Sequence, residues 1–117
     1  MTKSKYLLNI DDLKTISINH GTDMKKLFIF NEDTDTLLTQ FAWSKLKPID
    51  YCDSHTHQTM DEYFFVQNGN GTHEIGDEVL ELKSGDFIRI PAGTTHRLKI
   101  KGHHKLLELV YFGIATD

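Results

Sequence analysis

His55-Thr56-His57-Gln58-Thr59-Met60-Asp61-Glu62 gathers two imidazoles and two carboxylates into one short stretch, and Gly69 follows it. A second cluster, Gly85, Pro91-Ala92-Gly93 and His96, lies further along the chain. His55 and His57 are two apart, so in an extended strand both side chains leave the same face, with Cα atoms about 6.6–6.8 Å apart. Two ring nitrogens can then converge on one cation. Glu62 follows a four-residue bend and opens the next strand, which lets its carboxylate turn back toward the same interior. His96 must come from a distant strand, returned by the turns that Gly85 and Pro91-Ala92-Gly93 permit. Three neutral imidazoles and one carboxylate make a nitrogen and oxygen donor set suited to one divalent transition metal, whether Fe, Mn, Ni, Co, Cu or Zn. No thiolate is present, which argues against a closed structural zinc site, and four protein ligands leave an octahedral ion two open positions. Asp61 is the alternative carboxylate.

Around this stretch the chain reads as strands and turns. Leu27-Phe28-Ile29-Phe30 predicts a short strand, Asn31-Glu32-Asp33-Thr34-Asp35 a polar turn, and Thr36 to Lys45 a longer strand rich in Leu, Phe, Trp and Thr. The acidic turn lacks the central glycine and closing glutamate of a calcium loop, and no helices flank it. After Pro48, strands are expected around Ile49 to His57 and at Glu62 to Gln67, with Asn68-Gly69-Asn70-Gly71 as a hairpin turn. Thr72 to Ile75, Val79 to Leu82, Phe87 to Ile90, His96 to Ile100 and Lys105 to Phe112 bring the total to about ten short strands, the pattern of an all-β sandwich or barrel. At 117 residues this is a single domain. Residues 1–25 form an N-terminal segment, read as an added strand or a dimer arm. Within it Tyr6-Leu7-Leu8 and Ile16-Ser17-Ile18 are candidate edge strands, and Asp11-Asp12-Leu13-Lys14 is a candidate helical turn. Residues 26–117 form the barrel.

The two clusters resemble the paired motifs of the cupin superfamily, and the chain is similar to its small single-domain bacterial members. The first motif, G-x5-H-x-H-x3,4-E-x6-G, is matched by His55, His57, Glu62 and Gly69. The second, G-x5-P-x-G-x2-H-x3-N, is matched by Gly85, Pro91, Gly93 and His96 with every spacing kept. Ile49 stands in place of the first glycine and Ile100 in place of the final asparagine. The resemblance covers Ile49 to Ile100. It implies a double-stranded β-helix, the jelly-roll-like cupin barrel, with a divalent metal held by His55, His57, Glu62 and His96.

Beyond the ligands the signal comes from strand alternation. If Glu62 points inward, so do Phe64 and Val66, and if His96 does, so do Leu98 and Ile100, which gives the cavity an apolar floor. From the long strand either Gln40 and Ala42 or Phe41 and Trp43 face the cavity. Gln40, Phe64 and Leu98 are therefore candidate substrate contacts, with Gln40 able to orient a hydroxyl. Glu108 and His73 each interrupt an apolar strand and are candidate general acid–base groups. Arg89 could clamp an anion, although packed Ile88 and Ile90 would leave it on the opposite face. Tyr63, Phe65, Tyr111 and Phe112 read as sheet-packing or dimer-interface aromatics, Cys52 as a small buried filler, and His20 and His103-His104 as surface residues.

Composition narrows the function classes. Net charge is −4, with no basic face beyond Lys25-Lys26 and the His103-His104-Lys105 cluster, so a nucleic-acid partner is not expected. The longest apolar run, Leu106 to Ala115, is broken by Glu108 and is about half of the roughly 20 residues a membrane span requires. The N-terminus lacks the apolar stretch of a secretory signal, and lone Cys52 cannot form an intramolecular disulfide, so a cytoplasmic location is expected. A small-molecule ligand and a homodimer are the expected partners. Similarity to small cupins implies a sugar isomerase or epimerase type of enzyme acting on a small polar or keto substrate through the metal. An Fe(II)-dependent dioxygenase and a non-catalytic ligand-binding module stand beside it, because fold does not fix function.

Overall fold

Nine strands form the computed structural model, which describes residues 6–18, 23–46, 55–99 and 106–116. They are β1 (Ile16–Ile18), β2 (Asp23–Phe30), β3 (Leu38–Leu46), β4 (His55–Thr56), β5 (Met60–Ile75), β6 (Glu78–Lys83), β7 (Phe87–Ile90), β8 (Thr95–Lys99) and β9 (Leu107–Ala115). The β-branched and aromatic residues that fill these segments favour a pleated, half-buried surface. Two short 3-10 turns, Ile10–Asp12 and Asn31–Asp33, take the places of the expected helical turn and acidic turn. Tyr6, Leu7 and Leu8 are exposed and form no strand, whereas β1 adds to the edge of β2. His20, Ile49, Cys52, Ile100, His103 and His104 lie outside the described residues. No helix among the described residues is long and apolar enough to cross a membrane.

The strand path runs β1-β2-β3-β9-β5-β8-β4, with β6 and β7 also paired to β5, and every pairing is antiparallel. β5 is the spine. Its first half lies between β9 and β7, and its second half between β6 and β8. The hairpin turn expected at Asn68-Gly69-Asn70-Gly71 is absent: β5 runs through it without reversing. Gly69 has φ +100°, next to a register shift between Val66 and Asn68 against β9. Asn-Gly pairs suit a bulge as well as a turn, and here they supply the bulge through which one strand passes from one half of the barrel to the other.

Register fixes which residues face the interior. Ala42, Ser44 and Leu46 of β3 are buried, as are Glu62, Phe64 and Val66 of β5, Leu107 and Leu109 of β9, and His96 and Leu98 of β8. The core joins Leu46, Phe64, Val66, Leu82, Ile88, Ile90, Leu98, Leu107 and Leu109, with Ile75, Leu80 and Tyr111 packed against it. Each such side chain contributes about 1.5–3 kcal/mol on burial. The outer face carries a ladder of rings across β2, β3, β9, β5 and β7. Phe28 meets Phe41 at 5.8 Å, Phe41 meets Phe112 at 5.5 Å, Phe112 meets Tyr63 at 4.7 Å, and Tyr63 meets Phe87 at 6.2 Å.

Alternation along β3 thus puts Gln40 on the inner face with Ala42 and Ser44, and Phe41 and Trp43 outside. Tyr111 lies on the inner face too, stacked on Phe64 at 5.3 Å, and so differs from Tyr63 and Phe112, which do pack on the outer sheet surface.

Candidate metal centre

Residues from β5, β8 and the loop after β4 converge at one end of the interior. His96 Nε2 lies 2.9 Å from Glu62 Oε1, and His57 Nε2 lies 3.5 Å from the same oxygen. The three donor atoms all lie within 4.8 Å of one another. His96 and Glu62 are buried, with side chains 3% and 7% exposed, while His57 is 41% exposed. The group therefore has a closed floor and an open rim. Burying a carboxylate is costly without a cation or donors to meet it, and two imidazoles plus one carboxylate form a borderline donor set that suits a divalent transition metal.

Backbone contacts from the second motif hold the first in place. Gly93, at φ +85°, donates its N–H to the His57 carbonyl at 2.8 Å. The Ala92 N–H donates to Asp61 Oδ1 at 2.8 Å, and His55 pairs with His96 between β4 and β8. Asp61 is thereby committed to the turn and to Arg89, whose Nη2 donates to Oδ2 at 3.2 Å, so Glu62 is the inward carboxylate of the two. Contacts with Tyr63 first and Asp61 second hold the exposed Arg89 guanidinium above its ordinary range. The His55 backbone lies beside His96, and its side chain lies outside the described residues.

His73, on the second half of β5, is fully buried, and its Nε2 lies 3.1 Å from His96 Nδ1. The two contacts of His96 are on opposite edges of its ring, so His73 stands behind the ring and away from Glu62. This position suits orientation of His96 better than proton transfer to a bound molecule. A nitrogen cannot carry both a proton and a metal ion, so ligation through His96 Nε2 requires the ring proton on Nδ1, where His73 Nε2 accepts it. Replacing His73 by leucine is expected to weaken metal binding about 10–100-fold, measured by calorimetric titration. His73→Gln, whose amide oxygen can accept the same hydrogen bond, should recover most of the loss.

Glu108 points the other way. Its Oε2 accepts from Trp43 Nε1 at 3.2 Å on the outer face, opposite the buried Leu107 and Leu109. Its carboxylate is not brought to the ligand group, because the alternation that buries its neighbours turns it outward. Of the substrate candidates, Phe64 stands edge-on to His96 and His73, with ring centroids 6.2 and 5.5 Å away, and Leu98 is buried in the core. Gln40 shares a row with Glu62 across β9, with Gly113 between them.

Sequence reading missed an inner polar group. Ser44 Oγ donates to Tyr111 Oη at 3.0 Å, and Lys25 Nζ stands 5.8 Å from the centroid of the Tyr111 ring. Burial lowers the Lys25 pKa, and the Glu62 carboxylate pulls it back up. The signal was the doublet Lys25-Lys26: adjacent strand residues face opposite ways, so one lysine had to point inward. Lys26 is the outer one, donating to the Ile10 carbonyl at 3.0 Å.

Comparison with known proteins agrees with this architecture. Among curated proteins, an uncharacterised protein of Methanocaldococcus jannaschii is 35% identical over 49 residues, which are 42% of this chain and 39% of that protein. The match thus spans about two fifths of the curated relative's length. Among solved structures, a predicted oxalate decarboxylase from Thermotoga maritima superposes with TM-score 0.85 at 19% identity, over 93% of this chain and 98% of that one. The polyketide cyclase RemF from Streptomyces resistomycificus gives 0.78 at 16% identity, over 100% and 81%. KdgF from Halomonas sp. gives 0.68 at 19%, over 87% and 89%. At these identities the likeness is one of fold. The cupin domain itself matches residues 42–111, more than half of the sequence and the part that holds the three converging candidate ligands, and the chain belongs to the cupin family.

Proposed function

We propose that this protein is a metal-dependent enzyme of the isomerase or epimerase type, acting on a small polar or keto substrate inside the barrel. The observation that carries the reading is the convergence of His57, Glu62 and His96 within 4.8 Å at a half-open end of the interior. His57, Glu62 and His96, with His55 beside them in sequence, would hold one divalent ion, and a bound ion of that kind supplies Lewis acidity toward a carbonyl or hydroxyl. The chain's own residues do the rest. Phe64 and Tyr111, stacked on each other against the core, would shield the reacting atoms from water. The exposed side of His57 leaves an entry path. The Ser44–Tyr111 pair offers hydroxyls and Lys25 an ammonium for holding or moving a proton at the substrate.

A second reading, an Fe(II)-dependent dioxygenase, is supported by the same donor set, since two imidazoles and one carboxylate suit Fe(II) and would leave positions for a substrate and O₂. Metal-loaded protein incubated in deuterated water with keto-sugars and sugar phosphates tests the choice. Deuterium incorporation without oxygen uptake supports the isomerase. Oxygen uptake with Fe(II) across small acids and thiols supports the dioxygenase. Stabilisation by ligands with neither reaction supports a binding module. A homodimer is part of the proposal, and light scattering is its measurement.

A further inference from the structure

Lys25 is an unusual residue to find on the inner face of a small barrel. It pairs across the sheet with buried Ser44, lies over the ring of Tyr111, and is half-buried. Among the described residues no carboxylate is within ion-pair distance of its ammonium, and the charge that acts on it most is that of Glu62. Glu62 also faces His57 and His96.

A divalent ion would contribute two positive charges, Glu62 one negative and Lys25 one positive, so among the described residues these groups would sum to about two positive units, and unpaired charge is costly in a medium of low dielectric. Without the ion, Lys25 and Glu62 offset each other. With it, the negative charge of Glu62 is shared with the ion, and the ammonium lacks a full counter-charge. An anionic ligand corrects the imbalance, and an ammonium beside hydroxyls is a natural partner for a carboxylate.

We propose that the barrel takes a small organic acid whose carboxylate pairs with Lys25 while the rest of the molecule reaches toward His57, Glu62 and His96. This rests on the metal-dependent reading above and adds the substrate class to it. Phe64 and Tyr111 form the wall between the two ends, and their stacked rings suit the short carbon chain that joins them. Neutral sugars would leave Lys25 without a counter-charge and are disfavoured relative to their acids or keto-acids.

The test uses wild type, Lys25→Met, Lys25→Arg and Lys26→Met. Each is titrated calorimetrically first with Mn(II), then, once loaded, with glycolate, pyruvate and 2-oxoglutarate, and with uncharged glycerol as control. Wild type, Lys25→Arg and Lys26→Met should bind at least one of the acids. Lys25→Met should bind it about tenfold or more weakly, with Mn(II) affinity unchanged or higher. Equal acid binding by Lys25→Met and wild type overturns the proposal, as does loaded wild type that binds none of the three. Failure of all four proteins to bind Mn(II) is a different result: it removes the metal-dependent reading, and the inference with it.

Discussion

Replacing His57 and His96 together by alanine is expected to leave a protein that purifies without bound metal, whereas wild type prepared without chelator should carry close to one transition-metal ion per chain. Binding free energies of four-ligand sites imply roughly 3 kcal/mol per ligand, so losing two ligands should lower affinity on the order of 10⁴-fold. Elemental analysis gives the stoichiometry, and thermal melts with and without added metal give the coupling to stability. Metal should raise the wild-type Tm and leave the variant unmoved. Wild type that holds no metal, with a melting temperature indifferent to both substitutions, would contradict the assignment of these residues as ligands. The loss follows from geometry: Glu62 Oε1 sits 2.9 Å from one ring nitrogen and 3.5 Å from the other, and alanine at both positions removes both of these nitrogen donors.

The second large effect concerns stability. A Cβ at Gly69 would collide with the carbonyl oxygen and carbon of Leu106, which are backbone atoms that cannot rotate aside, and the residue is held at φ +100°. Gly69→Ala therefore combines a left-handed conformation that L side chains resist with displacement of the entry to β9. Together these should destabilise the fold by about 3 kcal/mol or more, a fall in Tm of more than about 10 °C for a domain of this size. Gly85→Ala is the contrast: its φ of +94° is similar, but a Cβ there meets nothing within 4 Å, so the loss should be clearly smaller. Equal losses in the two variants would show that the collision with Leu106 does not matter. This explains in physical terms why glycine occupies the last position of the first motif.

Much of the architecture was legible because motif spacing and turn residues are local. The candidate group His57, Glu62 and His96 comes from two short segments, and backbone contacts join them: Gly93 and Ala92 bond to His57 and Asp61 directly. The orientation of β3 was not legible. Both of its faces bear apolar side chains, small Ala42 inside because Phe64 and Tyr111 fill the interior, and large Phe41 outside because it belongs to the ring ladder. Glu108 is a contrasting case, its carboxylate bonded to Trp43. Its alternation with Leu107 and Leu109 already implied an outward carboxylate, but an isolated charge in an apolar strand drew more weight. The Asn-Gly run was read as a reversal because propensity alone does not separate a bulge from a turn. Lys25 escaped notice since its partners, Ser44 and Tyr111, are distant in sequence.

The ligand group also sets an order of events. His57 and Glu62 are five residues apart, whereas 34 residues separate Glu62 from His96. The entropy of loop closure grows with the logarithm of that separation, so an unfolded chain can present the first two donors together far more readily than all three. His96 arrives only when β8 has docked on β4 and on the far half of β5. On the proposed metal-binding reading, a newly made chain would chelate weakly through the first two donors and would gain its third when the five-residue strand β8 docks.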